Sequence, residues 1–268
     1  MILTDLLGAA LEREFYLTVI KNIEFIYPGK FEFVLVGDGP TDIFKDIPLS
    51  TNPKLVFHFS DEMNRCPNYI NRDDIIAVFK VYPPKQKNDK IIPIPLPCVK
   101  GFNGNGNRPI KDRKYDIFFY GQTFNWHRQI MFKNLDAFKA NHPELNIILG
   151  SSESFSKGLP LTEYQDILEN TKIAICPGGN NIETFRFTEA AKCGCVIIAQ
   201  PKLNYWFYES NPQVIVSRWE QIHDLLPRLL DNLPKMQEIS DLTKGYYQFR
   251  LSEEAVTKYL LSFLAVKA

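Results

Sequence analysis

The 268-residue chain has no excess of charge of either sign, since Lys plus Arg and Asp plus Glu both number 31. A balanced surface supplies no global field for nucleic acid or an anionic membrane, so only local basic pockets remain to recognise phosphate. No apolar run approaches the roughly 18 residues of a membrane-crossing helix. The opening MILTDLLGAALEREF is interrupted by Asp5, Glu12, Arg13 and Glu14. It also lacks the basic start and long apolar centre of a signal peptide, and the expectation is a cytosolic chain with no transmembrane segment. Cysteine is scarce and scattered: Cys66, Cys98, Cys176, Cys193 and Cys195 contain no CxxC pair. An odd set with that spacing disfavours both a disulfide framework and a zinc site, and reduced, mostly buried thiols are expected.

What is present is an ordinary globular composition. Hydrophobic residues make up 45% of the chain, enough to bury a sizeable core in one large or two small domains. No internal repeat is visible. The stretch Lys100-Gly101-Phe102-Asn103-Gly104-Asn105-Gly106-Asn107-Arg108-Pro109 is rich in Gly and Asn and poor in apolar residues, which makes it the best linker candidate and divides the chain near residues 100–112.

Before that division, Leu3 to Phe25 has helical spacing. Phe31 to Val36, Lys54 to Phe59, Ile75 to Tyr82 and Lys90 to Leu96 are short β-branched and aromatic runs bounded by Gly, Pro, Asn or Asp, as strands are. After it, strands at Tyr115 to Tyr120, Asn146 to Leu149, Ile173 to Cys176, Val196 to Ala199 and Val214 to Ser217 alternate with helices. Those helices are expected at Trp126 to Ala140, Thr162 to Glu169, Ile182 to Lys192 and Glu220 to Leu230. Nearly continuous apolar strands between amphipathic helices imply an α/β fold with a parallel sheet covered on both faces. Ligands of such sheets bind beyond the carboxyl ends of the strands, where strand order reverses. Gly121 to Asn125, Gly150 to Phe155 and Pro177 to Ile182 lie at that edge. Ser252 to Val266 reads as a terminal amphipathic helix.

The loop at Pro177 carries the chemistry. Gly178 and Gly179 permit close backbone approach, and Asn180, Asn181 or Thr184 can cap the helix that follows, whose N-terminus favours an anion. Arg186, one turn in, can add a bidentate contact to phosphate. Glu189, three residues further on the same face, can accept from two ribose hydroxyls. The competing reading is a surface ion pair between Arg186 and Glu189, with glycines that only turn the chain.

The run Thr184-Phe185-Arg186-Phe187-Thr188-Glu189-Ala190 through Gly194-Cys195-Val196 resembles the donor-binding segment of exostosin-like glycosyltransferases, glycosyltransferase family 47. Lys114 to Gly121 followed by Arg128, and Tyr164 to Pro177, are similar to that family's preceding strand, glycine, arginine and helix-to-strand segments. The resemblance covers roughly residues 112–220. It implies a GT-B fold: two Rossmann-like domains facing a central cleft, here with the N-terminal one reduced. Residues 1–105 would form the acceptor-side domain and 106–250 the nucleotide-sugar domain, with 251–268 a terminal helix that packs back on the first. Carried over by position, Arg128 and Arg186 would bind a diphosphate, Glu189 the ribose, and Gly121 would leave room for the leaving phosphate. The implied activity is inverting transfer from a UDP-sugar to a hydroxyl of a glycan or glycoprotein. A small sugar such as xylose suits a small enzyme.

Inversion needs a base for the acceptor proton. Arginines and a helix N-terminus can stabilise the leaving group electrostatically. The chain has no Asp-x-Asp, the usual metal-holding pattern of the other large glycosyltransferase fold, and no obligatory metal or cofactor is expected. Asp61 and Glu62, after the Lys54 strand, are the base candidates, with Asp38 competing; a helix cap or turn is the alternative role for the first two. His58 reads as a packed core histidine. Tyr205-Trp206-Phe207-Tyr208 can line a sugar site or pack in a core.

Two further functions compete. An NAD-dependent oxidoreductase is disfavoured because Thr41-Asp42 follows Gly37-Asp38-Gly39-Pro40 where a dinucleotide loop needs its third glycine. A catalytically inactive nucleotide-sugar-binding protein would keep the same site. The chain also departs from the family pattern: it is short for two full Rossmann-like halves, and Asn181 stands eight positions before Glu189 where many GT-B proteins have glutamate.

Overall fold

The computed structural model describes residues 1–7, 10–37, 47–154 and 157–267. The chain forms two compact units: Met1–Lys100 with Tyr205–Phe207 and Arg250–Ala268, and Gly101–Asn204 with Tyr208–Phe249.

The first unit is built on a parallel sheet of β1 (Ile2–Leu6), β2 (Glu32–Gly37), β3 (Lys54–Phe59), β4 (Ile75–Lys80) and β5 (Ile91–Pro93), in that spatial order. Strand order never reverses here. Every residue of β3 is buried, polar ones included. Lys54 is accommodated because its ammonium lies 2.9 Å from Glu32 and 3.0 Å from Asp74, since a buried charge is tolerated only when paired. One helix, α1 (Arg13–Ile26), turns Phe15, Tyr16, Val19, Ile20 and Ile23 to the sheet. Tyr16 stacks on Phe59 with ring centroids 4.8 Å apart, and its hydroxyl donates to the Pro95 carbonyl. The C-terminal helix, Glu253–Lys267, is placed against α1 by the Asn22 to Thr257 hydrogen bond and against β4 by Phe79 and Phe263. Trp206 belongs to this core, stacked 3.9 Å from Tyr259 and donating its indole N–H to the Pro93 carbonyl.

One expectation is corrected at the amino terminus. The helical spacing from Leu3 does not yield a helix there, because Ile2 to Leu6 pair in parallel register with Glu32 to Val36. Ladder bonds to an existing strand outweigh a local apolar pattern, and the helix begins only at Arg13.

The second unit has a five-stranded parallel sheet of β6 (Tyr115–Gly121), β7 (Ile147–Ser151), β8 (Thr171–Cys176), β9 (Val196–Ala199) and β10 (Val214–Ile215). Its spatial order is β10-β9-β8-β6-β7. Strand order therefore reverses between β6 and β8, which opens a crevice at their carboxyl ends. The connecting helices are α2 (Trp126–Asn141), α3 (Leu161–Glu169), α4 (Phe185–Lys192), α5 (Ile222–Leu230) and α6 (Leu233–Tyr246). On α2 the buried positions Arg128, Met131, Leu135 and Phe138 fall at steps of three and four, the spacing of one helix face. Met131, Leu135 and Phe138 meet Phe119, Ile147, Ile173 and Ile198 in one apolar cluster. Helix α6 has no counterpart in the sequence reading. Its buried positions are Met236, Ser240, Thr243 and Tyr246, half of them polar, so no apolar period marks it. Ser240 instead donates to the Gly194 carbonyl at 2.6 Å.

The Gly- and Asn-rich stretch is not a loose tether. Its backbone N–H groups at Asn103 and Asn105 donate to Gln165 and Glu169 of α3. Arg113 fastens its far end, donating to the carbonyls of Arg108, Thr171 and Cys193. Gly106 has φ +61°, and a Cβ there would stand 2.6 Å from the backbone of Cys193. Among the described residues, no helix is long and apolar enough to cross a membrane. Gly106→Ala combines left-handed strain with an overpacked contact and is expected to cost about 2–4 kcal/mol; urea unfolding of wild type and variant checks this.

Candidate functional site

The carboxyl ends of β6 and β8 bring two loops together, and side chains tie them. Asn125 caps α2 by accepting from the Arg128 N–H at 2.9 Å, and its amide donates to the Gly179 carbonyl at 3.3 Å. Arg128 reaches both loops, with Nε donating to the Gly178 carbonyl at 2.8 Å and Nη1 to the Gln122 carbonyl at 2.9 Å. A Cβ at Gly179 would lie 3.1 Å from Arg128 Nη2. Glycine at this position is therefore what lets the guanidinium approach the loop. Gly178 is less constrained, its nearest neighbour being 3.4 Å from an added Cβ.

Arg186, in the first turn of α4, enters the same crevice from the other side. Its guanidinium carbon lies 4.7 Å from the centre of the Phe119 ring, and Nη2 donates to the Tyr120 carbonyl. Any side chain at residue 121 would collide, since a Cβ on Gly121 would stand 2.5 Å from Nη2. Arg186 Nε and Nη1 are buried and have no hydrogen-bond partner among the described residues. Thr184, at the N-cap position of α4, makes no capping bond, and its buried hydroxyl is also without a partner. Each unmet buried polar atom costs about 1–3 kcal/mol. Three of them at one helix N-terminus mark a place built for an acceptor-rich group.

Glu189 lies one turn further along α4 and is 2% exposed. Its Oε2 accepts from the Tyr164 hydroxyl at 2.8 Å. Burial, and then the Glu189 charge, push the tyrosine well above its ordinary value, so Tyr164 stays a donor. Arg186 and Glu189 are thus not a solvated ion pair; each has its own partner in the interior. Of the two asparagines, Asn180 is exposed, while Asn181 Oδ1 accepts from the Ile182 N–H at 2.7 Å and its carbonyl from the Gly179 N–H at 2.7 Å. They shape the loop, and the helix itself starts at Phe185, three residues later than the spacing suggests.

Lys202, beyond β9, has no place in the sequence reading. Its ammonium donates to the Ile182 carbonyl at 2.7 Å and sits 4.6 Å from the Phe187 ring centre. Burial draws its pKa down to about 8, against the charge of Glu183, which holds it up. Asn125 and Tyr164 were likewise not singled out. Only the step of three from Asn125 to Arg128, a capping distance, hints at the first.

In the first unit, Asp61 is fully buried and engaged on both oxygens. Oδ2 takes the Lys80 ammonium at 2.8 Å and the Arg65 N–H at 2.8 Å, while Oδ1 takes Arg65 Nε at 3.1 Å. Burial works to raise its pKa, but the Lys80 and Arg65 bonds prevail and hold it below the ordinary value. A carboxylate held that way accepts a proton poorly at neutral pH. Glu62 is exposed. Asp38 lies outside the described residues. His58 is fully buried, paired through Nδ1 with the Tyr69 hydroxyl at 2.9 Å, and brought down to about 3 by burial and then by Lys80; it is a neutral core histidine. Among the described residues, no group of three or more His, Cys, Asp or Glu could hold a metal ion.

No family model matches the chain, and no curated protein matches its sequence. Solved structures do. The chain is similar to a chain of the GtfA/B complex (13% identity, TM-score 0.53), with 95% of this chain and 60% of that one covered. It is also similar to AviGT4, a glycosyltransferase involved in avilamycin A biosynthesis (9% identity, TM-score 0.53; 95% and 89% covered). A third is WaaG, a glycosyltransferase involved in lipopolysaccharide biosynthesis (10% identity, TM-score 0.51; 97% and 98% covered). The chain thus spans under two thirds of the first of these proteins and nearly all of the third. Two parallel-sheet α/β units with these neighbours establish the fold as GT-B.

Asp61→Asn removes the charge that balances Lys80 in the interior, and breaking a buried pair in this way costs about 3–5 kcal/mol. The contribution of Asp61 is present above its unfolded-state pKa and is lost as pH falls through its lower folded value. Urea titrations at neutral and acid pH are expected to show a variant penalty that shrinks on acidification.

Proposed function

We propose that the protein is a glycosyltransferase that takes a sugar from a nucleoside diphosphate sugar, UDP-linked, and passes it with inversion to a hydroxyl of a glycan or glycoprotein. The observation that carries this reading is the trio of buried polar atoms with no partner among the described residues, Arg186 Nε, Arg186 Nη1 and Thr184 Oγ1, at the N-terminus of α4. They lie where strand order reverses, the position at which α/β sheets bind phosphate. A diphosphate supplies the acceptors that these atoms lack.

In this reading Arg186 holds the diphosphate and Glu189, fixed by Tyr164, accepts from the ribose hydroxyls. Arg128 keeps its two carbonyl bonds and fixes the spacing of the loops. Gly121 and Gly179 leave room for the Arg186 and Arg128 guanidinium groups, which is what lets Arg186 face the diphosphate. Transfer forms a bond from the acceptor oxygen to the anomeric carbon and breaks the bond from that carbon to phosphate, with the electron pair leaving on UDP. Arg186 is preorganised by the Phe119 face and the Tyr120 carbonyl, so it meets the developing charge without rearranging. The likeness of Thr184 to Val196 to the exostosin-like segment supports inversion and UDP; the GT-B fold supports sugar transfer more broadly.

The test is thermal unfolding with UDP, UMP and NAD, followed by an assay of UDP released from a panel of UDP-sugars. UDP at about 100 times its Kd is expected to stabilise wild type by about 2.7 kcal/mol. Arg186→Ala and Glu189→Ala are both expected to remove that stabilisation. Arg186→Ala is expected to unfold near the wild-type temperature without ligand, because two unpartnered buried nitrogens are gone along with the Tyr120 bond. Glu189→Ala is expected to unfold lower, because the buried Tyr164 hydroxyl loses its acceptor. Stabilisation by NAD alone would contradict the reading, and UDP binding without turnover would indicate an inert binder.

A further inference from the structure

The loop before α4 is held from two sides. From β6, Arg128 and Asn125 donate to the Gly178 and Gly179 carbonyls. Within the loop, the Asn181 carbonyl takes the Gly179 N–H and the Asn181 side chain takes the Ile182 N–H. The last tie comes from β9. Lys202, three residues past that strand, donates from its ammonium to the Ile182 carbonyl at 2.7 Å. Ile182 stands two residues before Thr184, the N-cap of α4. All of these residues belong to the second unit.

Lys202 is not a solvated surface lysine. Its nitrogen lies 4.6 Å from the centre of the Phe187 ring and 5.7 Å from that of Tyr208, and the charge of Glu183 favours its ionised form. An aliphatic side chain would sit against two rings at less cost than an ammonium drawn out of water. What the ammonium adds is a charge-assisted bond to the carbonyl that leads into the helix. We propose that Lys202 is a positioning residue for the nucleotide donor. It holds the segment from Ile182 to Thr184 so that Thr184 and Arg186 meet the diphosphate, an inference that rests on the nucleotide-sugar reading above. The charge is part of the role, so donor binding follows its protonation. The groups that face it are Glu183 from the segment before α4, Cys176 at the end of β8 and the Tyr208 ring. Burial pushes the Cys176 thiol up to about 12, so it stays neutral where Lys202, drawn down to about 8 by burial, titrates. The ammonium predominates below about 8 and is lost as pH rises through that value. A bound diphosphate favours the ammonium over the amine, and its affinity therefore falls across the same interval.

The experiment measures UDP affinity calorimetrically for wild type, Lys202→Met and Lys202→Arg from about pH 6.5 to about 9.5, with unfolding temperature recorded for each. Wild type is expected to lose about tenfold in affinity as pH rises through the Lys202 value. Lys202→Met keeps the volume beside the two rings. It is expected to fold, to bind UDP about tenfold more weakly than wild type at neutral pH, and to show no further loss across that interval. Lys202→Arg carries a charge that does not titrate, and is expected to restore neutral-pH binding and to hold it into the alkaline range. A purely structural role would not move the pH profile in this way. Wild-type affinity in Lys202→Met, or a wild-type profile that stays flat, would overturn the assignment while leaving the nucleotide-sugar reading intact. A wild type that binds no UDP at any pH would overturn the reading and the positioning role together. If Lys202→Met fails to fold, Lys202→Arg decides: affinity held into the alkaline range supports the role, and a wild-type fall refutes it.

Discussion

The second unit is organised around a guanidinium withdrawn from water. Arg186 lies against the Phe119 face, gives one N–H to the Tyr120 carbonyl and leaves two donor nitrogens buried and unmet among the described residues. Desolvating a cation in this way is unfavourable by itself, so its surroundings must be rigid enough to keep it there. Gly121 is the first condition, because a Cβ would occupy the place of Nη2. The second is the tie made by Arg128 and Asn125, which holds the β6 and β8 loops at a fixed spacing. A site preorganised for charge carries its cost in the resting protein and is repaid when an anion arrives.

The same bookkeeping separates the carboxylates of the first unit. Asp61 has a lysine, an arginine and a backbone N–H, all within 3.1 Å, and works as an internal strut. Lys54 is the complementary case, a buried cation between Glu32 and Asp74. Glu12 is buried, and its carboxylate accepts from the Ser60 hydroxyl at 3.4 Å.

Much of the second unit was legible in the sequence because its strands are continuous apolar runs and its ligand loop uses residue types with few other uses: paired glycines, then an arginine and a glutamate at helical spacing. Strand order was not legible, and it is the reversal between β6 and β8 that turns those loops into a crevice. Partners distant in sequence were also hidden, such as Tyr164 for Glu189 and Asn125 for Gly179. Helix α6 escaped because polar Ser240 and Thr243 occupy its buried face. In the first unit the amino-terminal strand was masked by helical spacing, and Asp61, attractive by position, is consumed by ion pairs that only β4 and the turn after β3 reveal. The Gly- and Asn-rich stretch begins where the second unit begins, and its Gly104 and Gly106 serve close packing against Cys193.

The most direct measurement is the NMR signal of the Arg186 Nε–H, assigned by comparison with Arg186→Lys, during titration with UDP. Diphosphate binding at this nitrogen is expected to move the signal strongly downfield and slow its exchange with water, saturating together with UDP binding measured calorimetrically. UDP binding that leaves the Arg186 signal in place would contradict the assignment of this guanidinium as the diphosphate anchor.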